Sequence, residues 1–347
     1  MSLTFSKIIN LTTEKAMRKD KSIITFGLGI TDPKGIFGTT VGLKEKFGAS
    51  RVFDVPASEN ALTGFAIGAS LSGLRPILIH QRLDFALLSM DQIINSAAKW
   101  LYMFGGAQSV PITIRMTIGR GWGQGPTHSQ NLHSMFAHIP GLKVVVPAIA
   151  SDVSHLLYSS IRDPNPVIFL EHRWLHNSLG NMPKKIKSKE IGKCKVIKKG
   201  KDITLISLSY MTIECMEAAK ILQKLYSVSV EVVDIRTVSP IDIKTINDSV
   251  KKTKSVLIVD TSNEVCGFSP SLLSQILKNI KKLNNIPEIM AMPFVPEPTS
   301  YGLTKYFYNN RYDVVNRTLK ILKIDKRIKK KIIGHHDVPG DWFEGPF

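Results

Sequence analysis

Cysteine, acidic residues and long apolar runs are all scarce in this sequence of 347 residues. Its three cysteines, Cys194, Cys215 and Cys266, lie far apart, so neither a disulfide framework nor a metal cluster is supported. No apolar run approaches the ~20 residues of a membrane-spanning helix, and membrane association is not expected. The N-terminus lacks the apolar core of a signal peptide and has the pattern of an amphipathic helix. We therefore expect a cytoplasmic protein.

The shortage of acidic residues leaves a formal net charge of +18, from 46 Lys and Arg against 28 Asp and Glu. The lysines are concentrated at 184–201 and 323–331, and such patches fit a nucleic-acid surface. However, no aromatic residues are interleaved with them, and no helix-turn-helix, RNA-binding or zinc signature accompanies them. A solvated face, or a surface for an acidic partner chain, is the favoured interpretation, and nucleic acid is not expected as a partner.

What the sequence does contain is an alternation of short apolar runs and helical patterns, which is typical of an α/β fold. Helices are predicted over 37–46 and 151–162, and another is expected to begin at 127–129, after a glycine-rich loop. The apolar runs predict the strands of a first, parallel sheet at Ser22–Phe26, Arg51–Phe53, Pro76–Ile79, Val110–Met116, Val144–Val146 and Val167–Leu170.

Composition divides the chain into four segments. Residues 1–182 carry the first sheet, and residues 183–201 are basic and almost without large aromatics, which predicts a linker between domains. Residues 202–333 repeat strand and helix, which predicts a smaller, mostly parallel sheet with helices on both faces. Residues 334–347 contain too many Gly and Pro for a helix, and we expect them to form a strap that docks on another surface.

Several ordered motifs carry a resemblance to a known family. They are D-V-P-A-S-E at 54–59, G-L-R-P at 73–76, D-Q-I-I-N-S-A-A-K at 91–99, H-S-Q at 128–130, P-G-L-K-V-V-V-P at 140–147 and I-R-D-P-N-P-V at 161–167. Together they resemble the β subunit of thiamine-diphosphate-dependent 2-oxo acid dehydrogenases, the E1 component, as in pyruvate dehydrogenase. The resemblance covers nearly the whole chain. It implies a parallel-sheet pyrimidine-binding domain of the transketolase type, followed by a smaller transketolase C-terminal-like α/β domain.

Glu59 receives a catalytic role from this resemblance. Taken alone, a carboxylate at the predicted start of a helix is explained by the helix dipole. In the family, a carboxyl group at this place binds the aminopyrimidine of thiamine diphosphate and favours its imino tautomer. Apolar surroundings would help the carboxyl group to share a proton with a weakly basic ring, since burial raises a carboxyl pKa.

Three further residues take roles in the same way. The resemblance implies that Phe85 stacks on the aminopyrimidine and that Leu83 contacts the cofactor beside it. Core packing is the alternative for both. His128 matches the family histidine that faces the substrate and helps to hold the oxo-acid carboxylate or the acyl acceptor. The alternative for His128 is an ordinary loop histidine with its hydrogen bonds satisfied.

A structural potassium ion is a further implication. Ile112, Ser160, Asp163 and Asn165 match positions at which several relatives hold such an ion through backbone carbonyls and the Asp side chain. A simple turn explains R-D-P-N-P equally well, and both interpretations stay open.

The family's diphosphate-binding signature is missing. Enzymes of this kind hold the diphosphate and Mg²⁺ through a G-D-G segment with an Asn downstream, and no G-D-G occurs in this sequence. The resemblance therefore implies that an α subunit supplies the diphosphate half and the Mg²⁺, in a heterotetramer of two α and two β chains. A lipoyl-bearing E2 acyltransferase is the expected acceptor partner, and a 2-oxo acid the expected substrate.

The substrate need not be pyruvate. Arg82 precedes Phe85, and Arg120 lies in the glycine-rich loop, both without counterparts in the pyruvate enzymes. Either arginine is suited to an anionic group of a larger substrate, while Arg82 could instead pair with Asp84. These residues favour a rival function, the small subunit of a split transketolase or ketol-transferring synthase. A second rival is a non-catalytic scaffold or regulatory subunit, against which the presence of Glu59, Phe85 and His128 together argues.

Overall fold

A computed structural model describes residues 2–119 and 124–329, and Arg120 and the predicted strap at 334–347 lie outside these ranges. The chain opens with β1 (Ser2–Thr4) and α1 (Phe5–Lys19), whose apolar face is fully buried, as the amphipathic pattern predicts. β1 pairs antiparallel with β8 (Leu179–Asn181). In the described ranges, no helix is long and apolar enough to cross a membrane.

The first sheet has seven strands and is parallel except at one edge. Its strands are β2 (Ile23–Phe26), β3 (Val52–Phe53), β4 (Arg75–His80), β5 (Thr113–Ile118), β6 (Lys143–Val145), β7 (Val167–His172) and β12 (Thr237–Ser239). They lie in the order β12-β6-β7-β5-β4-β2-β3, with only β12 antiparallel. The inner strands are buried along their length because helices cover both faces. The predicted parallel sheet is confirmed.

Short helices and irregular turns connect these strands. They are α2 (Leu43–Phe47), α3 (Glu59–Leu71), α4 (Leu83–Ala86), α5 (Trp100–Met103), α6 (His133–Ala137) and α7 (Ala150–Arg162). A π-helical segment at Gln92–Ala97 and 3₁₀ turns at Leu87–Ser89 and Arg173–Leu175 complete the connections.

Two helix predictions need correction. The helix expected over 37–46 is present only as α2, because Gly38 and Gly42 have φ of 79° and 74°, which interrupts helical backbone. The helix expected to begin at 127–129 begins at His133 instead. A turn precedes it, with the His128 amide donating to the Gly125 carbonyl at 3.3 Å.

The second sheet has five strands in the order β14-β13-β10-β11-β9 and is parallel except for β9. Its strands are β9 (Lys195–Lys198), β10 (Ile203–Ser207), β11 (Val230–Asp234), β13 (Val256–Asn263) and β14 (Glu288–Met292). Its helices are α8 (Met211–Tyr226), α9 (Ile243–Thr253), α10 (Phe268–Asn279), α11 (Tyr301–Phe307) and α12 (Arg311–Ile321). The smaller α/β unit predicted from the strand–helix repeat is confirmed.

The two units interlock through the chain between them. β9 lies within the segment 183–201 that was predicted as a linker, and it forms an edge of the second sheet. Conversely, β12 crosses back to pair with β6 of the first sheet. His133 of α6 also lies 3.1 Å from the Asp260 carboxylate of β13, with both side chains fully buried. These contacts hold one end of the first sheet against the second unit.

Candidate functional site

A small cavity opens at the carboxyl ends of β2 and β4, beside the first turn of α3. It spans about 330 Å³, part of it open to solvent. Glu59 and Phe85 line it together, and the remaining wall is mainly apolar or glycine, including Gly27, Leu28, Pro56, Ala57, Leu62, Leu78 and Ile79. The carboxyl ends of parallel strands are where sheets of this kind bind ligands.

Glu59 is the first residue of α3 and is half-buried. Thr63 Oγ1 donates to the Glu59 backbone carbonyl at 2.9 Å, which fixes the first turn. In the described part of the chain, no donor contacts the Glu59 carboxylate. The helix dipole therefore favours the charge, as the simpler interpretation holds, but the carboxylate is also available to a ligand in the cavity.

Phe85 and His128 come together although they lie in separate loops. Their ring centroids are 5.2 Å apart at an interplanar angle of 88°, an edge-to-face contact. The Nδ1 atom of His128 is 2.9 Å from Thr127 Oγ1, which leaves Nε2 as the ring nitrogen open to a ligand. Phe85 thus borders the Glu59 cavity and also contacts the histidine.

Leu83 does not line this cavity. Its side chain is fully buried in the hydrophobic core beneath the sheet's end. The core interpretation fits this residue, and its contact with a cofactor has no support in the structure. Leu83 anchors the turn from which Phe85 projects.

Arg82 has a different environment from the one predicted. It is 3% exposed, Nη1 donates to the Gly119 carbonyl at 2.9 Å, and Nη2 donates to Gln124 Oε1. Burial and the nearby Arg173 charge lower the pKa of Arg82 to about 10. Asp84, its expected partner, accepts from Gln130 Nε2 at 2.8 Å instead. Arg82 therefore bridges Gly119 and Gln124, and it is not among the described residues that line the cavity.

The residues predicted for a potassium ion form a compact turn. The Asp163 carboxylate accepts from Lys143 Nζ at 2.6 Å and from the Asn165 amide at 2.9 Å. The Ser160 and Ile112 carbonyls each accept one backbone amide, from Asp163 and Val167. Each carbonyl oxygen keeps a second lone pair for an ion, whereas the Asp163 side chain is already paired with the Lys143 ammonium. The potassium ion stays a prediction.

Sequence reasoning missed two residues at the cavity and one beside it. His80 and Gln81 border the cavity at the end of β4. Burial lowers the pKa of His80 to about 4, and its Nε2 has no hydrogen-bond partner among the described residues. Arg173 follows β7 directly and lines an adjoining cavity with Gln81. Their position after predicted strands was the signal that could have identified them.

An aminopyrimidine ring fits the residues of the first cavity. Among the described residues, Glu59 offers a carboxylate that no donor contacts, Phe85 an aromatic ring, and His80 a buried nitrogen without a hydrogen-bond partner. Such a ring carries both hydrogen-bonding atoms and a flat apolar face, which these three side chains complement.

The fold and this cavity define the pyrimidine-binding half of a transketolase-type protein. Residues 1–177 match the family model "Transketolase, pyrimidine binding domain", and residues 192–313 match "Transketolase, C-terminal domain". A solved structure of a split-gene transketolase, an inactive β4 tetramer, is similar with a TM-score of 0.75 over 93% of this chain and 99% of that one. At 20% identity, this likeness concerns the fold alone.

Curated relatives narrow the family further. The chain is 35% identical to the pyruvate dehydrogenase E1 component subunit beta of Rickettsia bellii, over 93% of this chain and 100% of the relative. It is 34% identical to the acetoin:2,6-dichlorophenolindophenol oxidoreductase subunit beta of Cupriavidus necator, over 92% and 98% respectively. The chain belongs to the transketolase-type family of E1 β subunits, and the resemblance found in the sequence is confirmed.

Proposed function

We propose that the chain is the β subunit of a thiamine-diphosphate-dependent 2-oxo acid dehydrogenase, which decarboxylates a 2-oxo acid and passes the acyl group to a lipoyl acceptor. The observation that carries the proposal is the Glu59 carboxylate, free of donors within the described chain and placed in a mainly apolar cavity with Phe85. The family to which the chain belongs supports the same reaction.

The proposal gives a defined task to each of three residues, Glu59, Phe85 and His128. Thiamine diphosphate, when bound, would supply a nucleophilic thiazolium carbon and an electron sink for the bonding pair left behind as CO₂ departs. Glu59 hydrogen-bonds the aminopyrimidine and holds the proton that changes its tautomer. Phe85 supports the ring by stacking, and His128 presents Nε2 to the substrate carboxylate or the acyl acceptor.

The proposal assigns the diphosphate and Mg²⁺ to a partner chain, because this sequence lacks the G-D-G segment. Two β chains would join two α chains, with an E2 acyltransferase as the acceptor and the cytoplasm as the expected location. Four exposed lysines, Lys184, Lys185, Lys187 and Lys189, remain candidates for contact with an acidic partner. Lys195 is engaged within the chain, with Nζ 2.8 Å from Asp152.

A split transketolase is the second candidate, because its solved relative shares the fold and because arginines lie near the cavity. An acceptor assay distinguishes the two functions. The chain is co-purified with its partner and offered a lipoyl domain or an aldose phosphate as acyl or ketol acceptor. We expect transfer to the lipoyl domain alone.

Dependence on a partner is tested by calorimetry with thiamine diphosphate and Mg²⁺. The chain alone should bind the cofactor weakly and show no turnover, and the assembled complex should bind it tightly. Tight Mg²⁺-dependent binding by this chain alone would contradict the proposal of a half-site.

A further inference from the structure

A second and larger cavity, which spans about 1070 Å³ with part of it open to solvent, adjoins the Glu59 cavity. Gln81 lines both, so the two spaces are neighbours at the end of β4. Lys34 and Arg173 contribute positive charge to the second cavity, and no acidic side chain is among its described lining residues. This cavity therefore presents two cationic side chains to a ligand that binds next to the cofactor cavity.

The Arg173 guanidinium has no polar partner in the part of the chain that the structure describes. Its central carbon lies 4.5 Å from the centroid of the Phe37 ring, which is its stabilising contact. Burial lowers the pKa of Arg173 from its ordinary value, although the group stays charged at neutral pH. A guanidinium has five N–H donors, and the half-buried Arg173 can offer them to a ligand in this cavity.

Phe37 carries a second cation. The guanidinium carbon of Arg82 lies 5.3 Å from the same ring centroid, so two arginines share one aromatic side chain. Their mutual repulsion is part of what lowers the pKa of Arg82. Phe37 itself has φ of 48°, which is rare outside glycine, so the surrounding packing must hold this arrangement in place. An anion bound beside the two guanidinium groups would reduce the repulsion between them.

We propose that Arg173, assisted by Lys34, binds a second oxyanion of the substrate, a carboxylate or phosphate at the end remote from the reacting 2-oxo group. A guanidinium pairs with either group through two parallel N–H···O bonds. Gln81 borders both the cofactor cavity and the Arg173 cavity, so an anion held by Arg173 lies next to the space proposed for the cofactor. The inference deepens the proposed function and rests on it for the place of the reacting group. The anionic substrate expected from the sequence is retained, and Arg173 replaces Arg82 as its recognition residue.

The test compares two 2-oxo acids of equal chain length, 2-oxoglutarate and 2-oxopentanoate, with the assembled complex. Wild type should favour the dicarboxylate in kcat/KM. Arg173→Met keeps an apolar side chain over Phe37, and it should lower the ratio of the two kcat/KM values by about tenfold or more, the effect of ~1.4 kcal/mol. Arg173→Lys should retain part of the preference. Arg162→Met, at the exposed end of α7, is the matched control and should leave the ratio unchanged.

A binding measurement keeps this inference separate from the proposed function. Succinate and inorganic phosphate are titrated into the complex by calorimetry, and the tighter of the two identifies the oxyanion. Binding should weaken about tenfold or more in Arg173→Met. If the complex turns over neither acid, calorimetry alone decides the anion site, whereas the acceptor assay decides the proposed function. An unchanged affinity in Arg173→Met, or loss of assembly in place of loss of binding, would overturn the inference.

Discussion

The aromatic rings of Phe85 and His128 meet edge to face, with centroids 5.2 Å apart. Phe85 also lines the cavity that contains Glu59, so one side chain connects the carboxylate to the histidine. This contact orients the His128 ring, whose Nδ1 also lies 2.9 Å from the Thr127 hydroxyl. The three residues therefore form a connected group even though they come from different loops of the sheet.

Replacing Phe85 by Leu should weaken cofactor binding and loosen His128. Aromatic stacking is worth about 1 kcal/mol beyond its area burial, so losing the proposed stack of Phe85 on the aminopyrimidine should raise the Kd for thiamine diphosphate in the assembled complex about fivefold. Calorimetry measures the change. Phe47→Leu is the matched control, because Phe47 lies on α2 against Arg18 and Arg51, and it should leave the Kd unaltered. Equal affinities in both variants would remove Phe85 from the site.

The buried ion pair between Arg115 and Glu171 should be essential to the first sheet. Arg115 Nε and Nη2 contact the two Glu171 oxygens at 2.5 and 3.0 Å, and His176 Nε2 lies 3.3 Å from the same carboxylate. Burial alone would raise the pKa of Glu171, but the Arg115 charge and the His176 contact bring it below its ordinary value.

Glu171→Gln leaves the Arg115 charge uncompensated, so we expect the free energy of unfolding to fall by about 3–5 kcal/mol. Urea denaturation measures this loss. Glu190→Gln is the control, because Glu190 is exposed and contacts only Lys193 in the described chain, and it should cost less than about 0.5 kcal/mol. A loss below about 1 kcal/mol in Glu171→Gln would mean that the pair does not stabilise the sheet.

Asp234 should make the free energy of unfolding fall as the pH rises. Burial raises its pKa to about 7, so the folded chain binds a proton that the unfolded chain releases. Stability therefore decreases as the pH rises from about 4 to 7 and levels off above that range. Asp234→Asn should remove this dependence and raise the free energy of unfolding at pH 8 by roughly 2–4 kcal/mol. Urea midpoints across the pH range test it, and identical curves for wild type and variant would refute it.

The strands could be predicted because a parallel sheet buried on both faces requires continuous apolar runs such as Val167–Leu170. The edge strands β9 and β12 could not, since each is short and its pairing depends on a segment distant in sequence. The helix predicted over 37–46 is longer than the observed one, because the sequence does not reveal that Gly38 and Gly42 adopt left-handed backbone.

The candidate site was also only partly predictable from the sequence. Glu59, Phe85 and His128 were identifiable from motifs, and the structure brings them together. The environments of Arg82 and Arg173 could not be predicted from motifs. Their burial and their contact with Phe37 arise only when three loops meet at the ends of the strands. A single arginine in a sequence does not reveal whether its partner is a carbonyl, a carboxylate or a ligand.

The central claim is that the Glu59 carboxyl group activates the cofactor, and exchange of the thiazolium C2 proton in the assembled complex measures it most directly. Quench-flow NMR compares Glu59→Gln, which keeps the volume but loses the acid, with His128→Ala. We expect Glu59→Gln to slow exchange by about a hundredfold, equivalent to ~2.7 kcal/mol in the barrier. His128→Ala should slow decarboxylation or acyl transfer instead, with C2 exchange close to that of wild type. Normal exchange in Glu59→Gln would contradict the account and place the activating group elsewhere.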